Sequence, residues 1–129
     1  MASYATGVRA ESLAAAFLQR QGYQILQQNF RIRRGEIDLI ALEDATLCFV
    51  EVRYRQSGTF GHPSETISRL KQSRIARTAS YFLARVWKGP GCACRFDVVT
   101  MVGDAKPELV LLRNAFEVPA AGSSGSYRY

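Results

Sequence analysis

A chain of 129 residues and 14.4 kDa has the length of one domain and enough of it to bury a core. At 47% hydrophobic, 22% charged and only four prolines, its composition excludes collagen-like, mainly disordered and disulfide-scaffold classes. Seventeen Lys and Arg, fourteen of them Arg, against eleven acids give a net charge of +6 and a pI near 9.6, the balance of a domain drawn to polyanions, although a solvated basic surface has the same balance.

No apolar run approaches the roughly 18 residues that a membrane span needs. The short run 14–18 lacks the basic flank of a secretory leader, so the expected location is the cytoplasm, with no membrane partner. The cysteines Cys48, Cys92 and Cys94 are odd in number and none makes a two-residue-spaced pair, so they are expected to be structural thiols.

Residues 7–21 carry the apolar stripe Ala10, Leu13, Ala14, Phe17 and Leu18, with Glu11 at its edge, and predict a helix that Gly22 ends. The chain is then extended from Tyr23 to Ile32, closing in a basic turn, Arg31 to Gly35. Residues 36–42 and 47–55 read as two strands of an antiparallel hairpin about the polar stretch 43–46. Residues 56–63 predict a loop that His62 shapes, and Ser64 is the expected cap of a helix from about Glu65 to Trp87. That helix puts Ile75, Ala79, Phe82 and Val86 toward the core, and Arg74, Arg77, Tyr81 and Lys88 on a neighbouring stripe. Gly89 and Pro90 stop it. Strands return at 93–102, where Asp97 is expected to pair with an arginine, and at 108–113. From Pro119 the tail is Gly/Ser-rich and expected to be mobile, leaving residues 1–118 as a single domain. The order α-β-β-β-α-β-β predicts an α/β fold, a mixed sheet with helices packed on it.

Centring the hairpin turn between Asp44 and Ala45 pairs Leu42 with Leu47, and the same register sets Asp38 opposite Glu51 and Glu36 opposite Arg53. Like charges directly opposed on a sheet face are destabilising, and both acids lie in apolar strands. A divalent cation between Asp38, Glu51 and the Val52 carbonyl is one resolution, with hard oxygen ligands suited to Mg²⁺ or Mn²⁺. Such an ion polarises a phosphoryl oxygen and acidifies a bound water, the chemistry of phosphodiester hydrolysis, with Arg53 beside the phosphate. The other resolution is an inert network in which Arg53, Arg55 or another arginine neutralises the acids.

These residues resemble the PD-(D/E)xK nuclease superfamily, in which Asp38 matches the first acid and Glu51 the second. The runs GEIDLIAL (35–42), LCFVEVRYR (47–55), KQSRIARTASYFL (71–83) and CRFDVV (94–99) resemble the YraN-like family of bacterial proteins over nearly the whole chain, from about Gly7 to Leu112. The resemblance implies a restriction-endonuclease-like core and a metal-dependent endonuclease in which Glu11 completes the acidic cluster. A Glu early in a helix is equally accounted for by the helix dipole. Arg53 stands where the superfamily pattern has Lys, and Arg cannot lose its proton to act as a base. Lys71 matches a Lys of the family pattern on the following helix, as a substitute cation or a solvated helical Lys.

Arg31, Arg33 and Arg34 form one basic surface, and Lys71, Arg74, Arg77 and Tyr81 a second with an aromatic able to stack. The partner they imply is nucleic acid, DNA ahead of RNA, held by phosphate contacts with little sequence readout. Three functions follow: a metal-dependent endonuclease, a nucleic-acid-binding module that has lost turnover through Arg53, or a protein-binding domain in which the basic stripes are incidental. Analogy with junction-cutting members of the superfamily makes a homodimer worth testing.

Overall fold

Gly22 takes φ 102, a conformation costly for any side chain, and its N–H closes onto the Gln19 carbonyl at 3.1 Å, ending the first helix. The computed structural model describes residues 3–55, 67–103 and 105–117. Helix α1 (Ser3–Arg20) starts earlier than its apolar stripe indicated. Strands β1 (Tyr23–Ile32), β2 (Gly35–Glu43) and β3 (Thr46–Arg55) form an antiparallel meander. Helix α2 (Arg69–Arg85) then carries the chain over the sheet, so that β4 (Ala93–Val102) lies parallel to β3, and β5 (Glu108–Leu112) closes the sheet antiparallel to β4. The spatial order is β1-β2-β3-β4-β5, the mixed five-stranded α/β arrangement expected from the element order.

The hairpin register is the one inferred from the turn, Leu42↔Leu47 and Glu43↔Thr46, with Asp44 at φ 53, a conformation Asp tolerates better than most residues. Each face of the sheet has its own core. On one, Ala14, Ala15 and Leu18 of α1 cover Tyr23, Leu39, Ala41, Cys48, Val50 and Val99. On the other, Ile75, Ala79, Phe82 and Leu83 of α2 cover Ile37, Ile40, Leu47, Phe49 and Phe96. Phe82 meets Phe30 and Phe49 edge-on at 5.3 and 6.0 Å, and burying a side chain of this size contributes about 1.5–3 kcal/mol. Because β3 alternates, Leu47 and Phe49 point toward α2, and Glu51 and Arg53 follow them on that face.

Helix α2 begins at Arg69 rather than near residue 65. Its cap is Ser68, whose Oγ accepts the Lys71 N–H at 3.1 Å. Its last residue is Arg85, so Lys88 falls outside the helix and does not complete the basic stripe. Ser64, His62, the 56–63 loop and the 119–129 tail lie outside the described residues. Among the described residues no helix is long and apolar enough to cross a membrane.

Candidate functional site

Asp38 sits where the sheet is interrupted. The β1–β2 ladder keeps one register from Gln28↔Leu39 to Phe30↔Ile37 but leaves Asp38 and Asn29, at φ 57, unpaired between them, and the β2–β3 pairing begins one residue later, at Leu39↔Val50. Asp38 therefore faces Glu51 across the open mouth of the hairpin, and its Oδ2 accepts the Val52 N–H at 2.7 Å. In an extended strand a residue's N–H and C=O point to the same side, so the Val52 carbonyl faces this mouth as well.

Glu11 reaches the same place from α1 and shares a hydrogen bond with Asp38. Burial raises the proton affinity of Glu11, and the bond from Asp38 opposes that rise. Asp38 is pushed up to about 8, first by burial, then by the charge of Glu51 and less by that of Glu11; the Val52 N–H and Lys71 pull the other way. Burial and the neighbouring acids thus make Asp38 hold its proton more tightly than a free carboxyl does.

The cation nearest these acids is Lys71, whose Nζ stands 2.7 Å from Glu51 Oε2. Arg53 Nη1 is 3.9 Å from the same oxygen. Glu51 is 6% exposed, Arg53 28% and Lys71 45%, so a buried carboxylate is met by a lysine entering from the solvent side. Lys71, named in the sequence both as a substitute cation and with the basic surface, stands at the acidic site. Glu36 does not face Arg53; it lies across β1 from Arg31 and pairs with it at 3.3 Å. Thr100, the register partner of Arg53 on β4, buries its hydroxyl with no hydrogen-bond partner among the described residues.

Among the described residues no group of three His, Cys, Asp or Glu side chains could hold a metal ion. A cation here would rest on Asp38, Glu51, the Val52 carbonyl and water, a hard-oxygen set that suits Mg²⁺, which keeps several waters and commonly takes only one or two carboxylates.

The two basic surfaces of the sequence are one. Gly35, the first residue of β2, lies so close to α2 that a Cβ there would collide with Thr78 Oγ1 and come 3.5 Å from the Arg74 carbonyl, and Phe30 reaches Tyr81 with ring centroids 6.5 Å apart. Arg33 and Arg34 are thereby carried beside α2, whose Arg74 and Arg77 are exposed as they are, and Lys71 stands at the acidic end of that helix. Arg85, which the sequence did not single out, lies over the Tyr81 ring at 5.4 Å.

At the hairpin end, Asp97 is fully buried and accepts from Tyr23 Oη (2.8 Å), Arg95 Nε (2.8 Å) and the Asn114 N–H (2.9 Å), the structural pairing with an arginine expected of it. Arg95 Nη2 also meets Glu43 at 2.6 Å, and Arg113 grips Glu43 with both arms at 2.8 and 2.6 Å. These bonds, Arg113 foremost, hold Glu43 down to about 2, while burial pushes the Cys48 and Cys94 thiols up to about 12, as inert structural thiols require. Sequence reasoning missed the Glu43 links; the available signal was Arg95 two residues before Asp97, hence on the same strand face.

The uncharacterised protein family UPF0102 matches residues 10–101. A UPF0102 protein of Nitrosomonas europaea is 48% identical over 111 residues, covering 86% of this chain and 92% of its own. Those of Lachnoclostridium phytofermentans and Caldicellulosiruptor saccharolyticus are 47% and 45% identical, covering 86% and 85% of this chain and 92% and 95% of theirs.

Proposed function

The chain belongs to the UPF0102 family, the YraN-like family its motifs resemble, and we propose that it is a metal-dependent endonuclease that hydrolyses nucleic-acid phosphodiester bonds at the Asp38–Glu51 site. What carries this reading is the meeting of two carboxylates at an opening of the sheet, with Asp38 pushed up to about 8 largely by burial and by Glu51. Acids so placed lower their mutual repulsion by binding a cation, and strongly perturbed groups of this kind gather at functional sites.

Asp38 and Glu51 would hold Mg²⁺ or Mn²⁺ with the Val52 carbonyl. When bound, the ion neutralises charge on the phosphoryl oxygens and acidifies a water. To serve as a ligand Asp38 would be ionised, and Glu11, its hydrogen-bonding neighbour, would be placed to take the proton. Lys71 supplies from α2 the lysine that the strand lacks, and unlike Arg53 it is able to exchange a proton. Arg53, half-buried beside Glu51, orients a phosphate oxygen. The alternative, a binding module without turnover, rested on Arg53 in the lysine position, and Lys71 at 2.7 Å from Glu51 weighs against it.

Cleavage of labelled duplex, single-stranded, flap and four-way-junction DNA and of structured RNA, with Mg²⁺ or Mn²⁺, tests this directly. Metal-dependent cutting by the wild type that is lost in Asp38→Ala supports it. Salt-sensitive binding with no cutting by either protein would leave the binding module.

A further inference from the structure

Tyr81 is 42% exposed on α2, the helix that also exposes Arg74 and Arg77, and Arg85 lies over its ring. Its ring is braced from beneath. Phe30 tilts against it at 42°, and Phe30 is in turn set edge-on to the buried Phe82. A phenol ring backed by Phe30, with a guanidinium over it and further arginines on the same helix, differs from a phosphate-binding patch, for which arginines alone suffice. It has the make-up of the platforms on which unpaired bases stack, an aromatic face inside an electropositive groove.

We propose that the substrate bound by this protein carries a single-stranded segment, one of whose unpaired bases stacks on Tyr81. A base inside a blunt duplex has no free face to offer. The guanidinium of Arg85 lies over the ring at 5.4 Å, in the place such a base would take. Its hold there is that of an exposed cation–π pair, weaker than base–aromatic stacking, so the base displaces it and Arg85 turns to an adjoining phosphate. From Lys71 to Tyr81 is about 15 Å along the helix axis. An unpaired base on Tyr81 therefore lies within a few nucleotides of the acidic site. This inference rests on the nucleic-acid function proposed above.

The test is fluorescence anisotropy at low salt in EDTA, with a labelled 20-nucleotide single strand, a blunt 20-base-pair duplex and the same duplex with a five-nucleotide overhang. Wild type, Tyr81→Leu and Tyr81→Trp are compared. The expected result is about tenfold weaker binding of the strand and overhang by Tyr81→Leu, blunt-duplex affinity within twofold of wild type, and recovery in Tyr81→Trp. Equal losses on all three probes, or no loss on any, would overturn the stacking role while leaving nucleic-acid binding intact. Failure of the wild type to bind any probe would overturn both the stacking role and the proposed function.

Discussion

Lys71 Nζ lies 2.7 Å from the Glu51 carboxylate, whereas Arg53, two residues from Glu51 on the same strand, keeps its guanidinium 3.9 Å away. The cation serving this acid comes from the helix that follows the strand and not from the strand itself. Lys71→Met is therefore expected to lower single-turnover cleavage by about 10²–10⁴-fold, the range for loss of a positioned proton-transfer group. Arg53→Met should cost clearly less. Rates measured at saturating Mg²⁺ check this, and a larger loss for Arg53→Met would contradict the assignment.

Asp38 gives the fold a pH dependence of unusual sign for a carboxyl group. Its folded pKa of about 8 lies above the ordinary value of 3.8, so the folded state holds the proton more tightly and stability falls as pH rises between these values. Asn accepts from the Val52 N–H and donates to Glu11 as the protonated acid does. In EDTA, Asp38→Asn should match the wild type near pH 4 and melt several degrees higher at pH 8, at about 4 °C per kcal/mol for a chain of this size. A mutant that melts lower at pH 8 would mean that the ionised carboxylate is part of a stabilising network.

Glu43 behaves in the opposite way. Arg113 and Arg95 hold it down to about 2, below its ordinary 4.5, so its contribution is complete above pH 4.5 and is lost as pH falls toward 2. Glu43→Gln should destabilise by about 1.5–3 kcal/mol at pH 7, as expected for hydrogen bonds to charged groups, and by little near pH 2. Urea denaturation at the two pH values measures the difference.

Gly35→Ala would drive a methyl group into Thr78 Oγ1, which is already committed to the Arg74 carbonyl at 2.8 Å. Overpacking of this kind costs about 1–3 kcal/mol. The β1–β2 turn should lift from α2, separating Arg33 and Arg34 from Arg74 and weakening nucleic-acid binding along with stability. Gly35→Ala combined with Thr78→Ala should recover both, and recovery of neither would show that the contact does not align the basic surface.

The hairpin was legible because its turn is short and its register follows from counting residues, and Asp38 and Glu51 came with it. Ser64 and Ser68 look alike as caps, since the same hydroxyl chemistry stands one helical turn apart, and only the packing of the helix on the sheet selects Ser68. The pairing of Lys71 with Glu51 and the grip of Arg113 on Glu43 join residues distant in sequence; only the family resemblance pointed to Lys71, and no local pattern announces Arg113. Arg33 and Arg74 read as separate surfaces because the close approach of Gly35 to Thr78 is a property of tertiary packing.

The parallel pairing of β3 with β4 gives the site a history during folding. Asp38 and Glu51 are brought together by a hairpin, which closes a short loop and forms on the microsecond scale. Lys71 arrives only as the crossover helix docks, and the β3–β4 ladder joins Thr46 to Ala93 and Arg55 to Val102 across a far longer loop. A meander formed before the helix docks would hold the two acids with no lysine beside them. If the site takes a divalent cation as proposed above, that cation would relieve the same repulsion while the chain collapses, and would then influence how fast its own site is assembled.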